Sequence, residues 1–446
     1  MRCNQLVTLF VFLVLSLGSF RKAIALPSYA RQTGLACNGC HTTPPELNPA
    51  GRTFKLLAYI QKTKNSDIPA PPADKRRSGL EMLESLPLSA WFETSFTNTK
   101  ASQPGTQNGN FEFPQDISLF LAGAWGNHLG SFLQVTYNAQ DDHFGIDNTD
   151  IRYARSIERN GKDWVLGVTL NNNPTVEDLW NSTPAWGYPF IANDSAPVPA
   201  AAPIIQGALA QDVAGLGGYT MWNQHLYIAG TVYRSDHIGS SQPTSGQNAS
   251  FNIRGVAPYW RVAWQETGRK NVFAIGGYGI HVASTPGATS GPKDTYTDLG
   301  PDLQYDRTLG RDVLSFRGTY IRENSSLNAT FAALGANQVD HHLDTGNANV
   351  AYHFGNRLSG TFGWFMTSGT TDPLLYAPAA LTGSANGSPR SAGYIANFSW
   401  WPLQNVDLAV QYTGFTRFNG GSTNYDGSGR NAGDNNTTYL LARFVF

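Results

Sequence analysis

Cysteine is almost absent from this chain of 446 residues, which has only Cys3, Cys37 and Cys40. Cys3 falls in an N-terminal stretch with the marks of an export leader, so neither a disulfide framework nor a four-cysteine zinc site is available to hold the fold together. Long apolar runs are missing too. After the first stretch nothing approaches the roughly 20 apolar residues that a spanning helix needs. Charged residues make up 14% and the net charge is −1, which gives no indication of a nucleic-acid partner. Outside residues 37–41 there is no nucleophile, metal or cofactor motif, which argues against an active-site enzyme.

What the chain does have is concentrated in two places. The first is the leader: Arg2, an apolar stretch from Leu6 to Phe20, and Ala23-Ile24-Ala25 as an A-x-A cleavage site before Leu26. Arg21 and Lys22 sit between the apolar core and that site, as in an uncleaved anchor, but export is expected either way. The expected division of the chain is a signal peptide over 1–25, a cofactor segment over 26–64, a linker over 65–85 and a barrel over 86–446.

The cofactor segment rests on Cys37-Asn38-Gly39-Cys40-His41, a C-x-x-C-H sequence and the attachment signature of a c-type haem. Two thiols three positions apart can each bond a haem vinyl group, and the following imidazole reaches the iron. Cys37 and Cys40 are therefore expected as anchors of one covalent haem c, and His41 as the proximal iron ligand. Asn48 and Pro49 read as the cap and first residue of a helix whose Phe54, Leu57 and Ala58 would pack on the porphyrin. The segment is too short to enclose a haem alone, so other parts of the chain should cover it. Residues 65–77, with Pro69, Pro71 and Pro72, read as a stiff polar linker.

From Leu86 onward the pattern changes to segments of about ten residues that alternate apolar with polar or small side chains. In the last of them Leu440, Ala442, Phe444 and Phe446 oppose Tyr439, Leu441, Arg443 and Val445. Val406, Leu408, Val410 and Tyr412 oppose Asp407, Ala409, Gln411 and Thr413 in the same way. The expected fold is mainly β: about sixteen antiparallel strands closed into a transmembrane barrel, with a small α-helical haem segment in front. Strand starts are expected near positions 86, 113, 128, 148, 162, 208, 223, 251, 270, 294, 311, 340, 357, 390, 404 and 435. Short connections such as Asn160-Gly161 and Leu309-Gly310 alternate with long polar ones, which puts both ends of the barrel, and the linker, on the periplasmic side. The largest loop, residues 171–206, carries six prolines with Trp180 and Trp186. It either folds inward over the haem or is a mobile surface loop.

The distal iron ligand stays open. Met82 precedes the first strand and would raise the haem potential, although it serves equally well as a packing residue. His128, His225, His281 and His353 are assigned to the polar, lumen-facing register, and a water-ligated site is the third option. Asp141-Asp142-His143 and Asp340-His341-His342, on outer loops, have the donor types that iron(II) accepts, and also suit ordinary loop polarity.

The run from Pro27 to His41, PSYARQTGLACNGCH, followed by LNPAGRTFK over 47–55, resembles the fused cytochrome–porin family of iron-oxidising bacteria. The resemblance covers some thirty residues closely and the rest only as architecture. It implies an outer-membrane electron-transfer protein that oxidises extracellular iron(II) and passes electrons to a periplasmic carrier such as a soluble cytochrome. Two other roles remain: outward transfer to an external acceptor, and a diffusion porin with a haem sensing domain.

Overall fold

The computed structural model describes residues 26–42, 44–60, 87–189, 191–193, 195–236, 252–288, 290–355 and 357–446. The expected leader and the whole of the expected linker over 65–85, Met82 included, lie outside the described residues. Among these residues sixteen strands form one closed antiparallel barrel in which each strand pairs with its neighbours in sequence. They are β1 Leu88–Thr99, β2 Asn110–Ala124, β3 Leu129–Asn138, β4 His143–Arg159, β5 Lys162–Asn171, β6 Val213–Trp222, β7 Leu226–Ser235 and β8 Ala257–Thr267. The circle continues with β9 Asn271–Ser284, β10 Asp294–Leu309, β11 Asp312–Leu327, β12 Asp340–Phe354, β13 Leu358–Gly369, β14 Ser391–Leu403, β15 Val406–Arg417 and β16 Thr437–Val445. Pairing of Trp91 with Val445 and of Thr99 with Thr437 closes it.

Alternation fixes what each face meets. Tyr439, Leu441, Arg443 and Val445 are buried inward, while Leu440 and Phe446 are exposed outside. Leu166, Val168 and Leu170 of β5 and Trp260, Val262 and Trp264 of β8 stand on the exterior as well. An apolar exterior on a barrel without an edge is what a lipid bilayer demands, because every backbone donor and acceptor is satisfied within the wall. The tight turns lie at one end. Asn160 (φ 52°) and Gly161 (φ 65°) form the two-residue link between β4 and β5, where both central residues must take positive φ.

Alternation of short and long connections holds with one correction. The β3–β4 link on the long-loop side is only residues 139–142. The Asn138 side chain accepts from the amides of Gln140 and Asp141, and this Asx-type turn closes the hairpin without a loop.

Inside the barrel lie two segments. The N-terminal one has helices α1 Pro27–Thr33 and α2 Pro49–Leu56 on either side of the C-x-x-C-H turn. The other is the loop between β5 and β6, residues 172–212, whose Leu179 and Trp180 pack with Leu56, Leu57, Ala58 and Ile60 against Tyr219 and Tyr227 of the wall. The loop therefore folds inward and is not a surface loop.

Candidate functional site

Cys37–Gly39 forms a single 3-10 turn, and the amides of Cys40 and His41 both donate to the Cys37 carbonyl (3.1 and 3.0 Å). Asn48 holds this turn in place. Its Nδ2 donates to the carbonyls of Asn38 and Gly39 (3.2 Å each), its amide donates to Cys40 O (2.9 Å), and its Oδ1 caps α2 by accepting from Gly51 N (3.0 Å). Helix and turn approach so closely that a Cβ on Gly51 would stand 2.2 Å from Cys40 O, so only glycine fits.

Cys37, Cys40 and His41 line one cavity of about 390 Å³ together with Leu47, Phe54, Tyr59, Phe132 and Trp186. That volume lies within the roughly 300–1,000 Å³ of cofactor sites. Both thiols are free and half-buried, and burial pushes Cys37 up to about 12 and Cys40 upward as well, so both are neutral. His41 Nδ1 lies 3.2 Å from the Glu46 carbonyl, a partner that requires the proton on Nδ1 and leaves the Nε2 lone pair for a metal. Burial lowers the imidazole to about 4, so it is uncharged at neutral pH. Two unpaired thiols, a neutral imidazole with its second nitrogen available, and an aromatic wall suit a covalently attached haem.

The segment is fixed to the lumen wall by polar contacts. Glu46 pairs with Arg317 of β11 (2.7 Å), and Arg52 donates to Gln304 of β10 (2.9 Å) with Asp306 at 3.5 Å. The Tyr59 hydroxyl donates to Asp150 of β4 (2.6 Å) and that of Tyr29 to Ser131 O of β3 (2.7 Å). Lys55 donates to Val176 O, Asp178 O and Asn181 Oδ1 of the inward loop (2.6, 2.7 and 2.9 Å), and Asn181 returns a bond to Pro45 O (2.7 Å). Burial pulls the Lys55 amine down to about 7, yet three acceptors call for the ammonium, since a neutral amine has only two N–H groups. The same loop closes the cavity with Pro184, Ala185 and Trp186, and the Trp186 ring lies under Lys55 Nζ at 4.9 Å. At the other side Cys37 Sγ lies 3.7 Å from Gln404 O in the β14–β15 turn, so the motif sits at the short-turn end.

Several expectations need correction. Phe54 lines the cavity, but Leu57 and Ala58 pack against the inward loop and the wall instead. The cause is that α2 stops at Leu56 and the chain reverses through positive φ at Ala58 and Tyr59, which delivers Tyr59 to the cavity. None of the four barrel histidines lines it. His281 faces outward on the register of Phe273 and Ile275, since β9 buries Ala274, Tyr278, Ile280 and Val282. His128 and His225 sit in the short turns, bonded to the carbonyls of Ala154 and Gln265. His353 is buried in the lumen 3.7 Å from Glu46 Oε2, in a neighbouring smaller cavity. Among the described residues the cavity lined by Cys37, Cys40 and His41 offers no methionine and no second histidine.

The outer clusters are tied up locally. Asp142 accepts from Tyr137, His341 Nε2 lies 3.0 Å from Asp372, and His342 pairs with Thr370. Among the described residues no group of three or more His, Cys, Asp or Glu side chains is placed to hold a metal ion. The wall partners of Glu46, Arg52 and Tyr59 and the loop partners of Lys55 had no signal in the sequence, because each joins positions more than ninety residues apart.

No protein-family model matches the chain, and no curated protein matches it. Among solved structures it is similar to OmpF of Salmonella typhi in complex with daunomycin, at 11% identity and TM-score 0.49, covering 80% of this chain and 97% of that one. An anion-selective porin from Comamonas acidovorans gives 12% identity and TM-score 0.47, with 80% and 98% covered. The outer-membrane channel DcaP of Acinetobacter baumannii gives 12% and 0.46, with 80% and 96% covered. Likenesses this remote carry no argument about what the chain binds or does.

Proposed function

We propose that the chain is an outer-membrane electron-transfer protein carrying one covalent haem c on Cys37 and Cys40, with His41 Nε2 as proximal ligand. Its donor is extracellular iron(II), and its acceptor a periplasmic carrier such as a soluble cytochrome. The observation that carries the reading is that both thiols and the imidazole of C-x-x-C-H share one aromatic cavity inside a closed barrel. A c-type haem supplies a one-electron relay there, its potential set by axial ligation and surroundings. The chain's own residues do the rest. Asn48 holds the attachment turn, Glu46 O orients His41, Arg52 and Glu46 seat the segment against the wall, and Lys55 ties it to the inward loop. Phe132 and Trp186 close the cavity on the lumen side, while Cys37 lies beside the short-turn rim, the side a periplasmic acceptor reaches.

An insulating layer of roughly 30 Å separates the two sides of a bilayer. A haem held there by Cys37, Cys40 and His41 would supply a one-electron path across that layer, with the ferric product left outside. The inward loop and the N-terminal segment both lie in the lumen and are joined by apolar packing and by the Lys55 hydrogen bonds, which favours a plugged conduit over a diffusion porin. Anaerobic optical titration of the haem-loaded protein with iron(II) tests the reading. Rapid reduction at near-neutral pH, lost in His41→Ala while the barrel still assembles, is the expected result. Reduction by dithionite but not by iron(II) would turn the reading to outward transfer, and an open conductance indifferent to redox state would turn it to a haem-sensing porin.

A further inference from the structure

The β4–β5 hairpin carries three cations on its outer face. The cross-strand pairs facing outward are Tyr153 with Val168, Arg155 with Leu166, Ile157 with Trp164, and Arg159 with Lys162 at the turn. Tyr153, Ile157, Leu166 and Val168 are among the exposed apolar side chains of the barrel, and Arg155, Arg159 and Lys162 are exposed as well. The hairpin's two carboxylates near the turn, Glu158 and Asp163, pair with each other on the opposite register. Arginines that form ion pairs, such as Arg52, Arg152, Arg261, Arg317 and Arg443, do so with buried lumen carboxylates, whereas among the described residues Arg155, Arg159 and Lys162 form none. Arg155 thus sits between apolar and aromatic neighbours with no anion of the protein on its face.

Depth follows from the register. Trp164 pairs with Trp222, the last residue of β6, so Ile157 and Trp164 mark the short-turn rim of the aromatic girdle. Arg155 stands one cross-strand pair inside that rim, and Arg159 and Lys162 one pair beyond it. This is the headgroup level of the inner leaflet. A cation there loses much of its hydration and gains when it meets an anion, and the planar guanidinium matches phosphate oxygens two at a time. The contrast within the barrel is the β8–β9 turn, where Arg269 and Lys270 are accompanied by Glu266, whose Oε1 accepts from Trp264 (3.0 Å).

We infer that Arg155, Arg159 and Lys162, framed by Tyr153 and Trp164, form a binding site for the phosphate headgroup of an anionic phospholipid of the inner leaflet. The inference rests on the membrane reading of the barrel and is independent of the haem. Arg155 grips the phosphate from the membrane side, Arg159 and Lys162 from the water side, and Leu166 and Val168 meet the acyl chains.

The test is native mass spectrometry of the full, haem-loaded protein, extracted in detergent and titrated with phosphatidylglycerol or phosphatidylcholine. Wild type should retain phosphatidylglycerol preferentially, and retention should fall roughly fivefold for each cation removed in Arg155→Gln, Arg159→Gln and Lys162→Gln. Lys270→Gln, in the mixed-charge turn, should leave it unchanged. Equal retention of the two lipids by wild type, or undiminished preference in the triple variant, overturns the site. Heat-modifiable mobility and insertion into vesicles are read in parallel on wild type. A chain that fails to insert refutes the membrane reading, whereas an inserted barrel without lipid preference refutes this inference alone.

Discussion

Replacing Asn48 separates the two tasks of that side chain. Its Oδ1 caps α2 at Gly51 N, and its Nδ2 holds the carbonyls of Asn38 and Gly39. Removing the cap costs about 0.5–2 kcal/mol. The two donations, partly open to solvent, contribute about 0.5–1 kcal/mol each, the lower part of the range for neutral hydrogen bonds. Asn48→Ala should therefore loosen the attachment turn by about 2–3 kcal/mol, which raises its open population by roughly 30- to 150-fold. Asn48→Asp keeps the acceptor at the helix start and discards both donors, so it should cost about 1–2 kcal/mol despite better complementing the helix dipole. Amide exchange read by mass spectrometry on the full protein in detergent measures this directly. Peptides covering residues 37–56 should exchange faster in the order wild type, Asn48→Asp, Asn48→Ala, with the strands unchanged. If Asn48→Asp exchanged like wild type, the carbonyls of Asn38 and Gly39 would not depend on this residue, and the picture of a turn held by one side chain would be wrong.

Gly51→Ala places a methyl group 2.2 Å from Cys40 O and should cost about 1–3 kcal/mol as helix and turn part, read as a fall in covalent haem content with barrel yield unchanged. Glu46→Gln leaves Arg317 with Asp306 alone at 3.3 Å, a loss of about 2–3 kcal/mol, short of the roughly 3–5 for a fully orphaned charge, and should appear as opening events in single-channel recordings. Glu177 of the inward loop is buried, accepts from Thr231 and has its carboxyl raised from 4.5 to about 7 by desolvation. Its folded form holds a proton that the released loop gives up, so the contribution of Glu177 to the loop's seating should be full below about pH 4.5, weaken up to about 7 and level off above, while Asp178, paired with Arg261 and lowered, works the other way only at more acid pH. Proteolysis of the loop against pH should follow that course, and Glu177→Gln should flatten it.

The barrel was legible because its two periodicities are local. Lys162, Asp294 and Asp340 begin strands where the pattern starts them, and most other starts fall within three residues. Three starts miss by more: β4 begins at His143 rather than near 148, β6 at Val213 rather than near 208, and β8 at Ala257 rather than near 251. For the last two the cause is local, because Leu209 and Ile253 continue an apolar pattern while packing with the loops inside the lumen. His281 shows where a rule of thumb fails: polarity suggested the lumen, but side-chain direction follows position along the strand, and its neighbours Ile280 and Val282 already face inward. At the site, the motif and the Asn48 cap were visible because each lies within a few residues. The wall contacts were not, since a buried arginine opposite a glutamate 271 positions away leaves no trace in local pattern.

Charge explains why the segment seats where it does. A barrel that faces lipid with its apolar side turns many polar side chains inward, so beyond the apolar cluster around Leu56, Leu57, Ala58 and Ile60 the plug docks through charged and hydrogen-bonding groups. The lumen offers Asp150, Arg152, Arg261, Asp302, Asp306 and Arg317, all buried. Each buried ion pair returns little net stability after desolvation, but a misplaced one is costly. Glu46 on Arg317, Arg52 near Asp306 and Tyr59 on Asp150 therefore act chiefly on position: a slip of one helical turn would strand several charges at once. Lys55 extends the same logic to the inward loop through three carbonyl-type oxygens, so loop and segment should come to rest together. Lys55→Met keeps the volume and removes the charge, and it should loosen residues 176–186 and residues 37–56 alike in amide exchange. Loosening confined to one of the two would show that they seat independently, and that the cavity's closed side is set by the wall rather than by the contact between them.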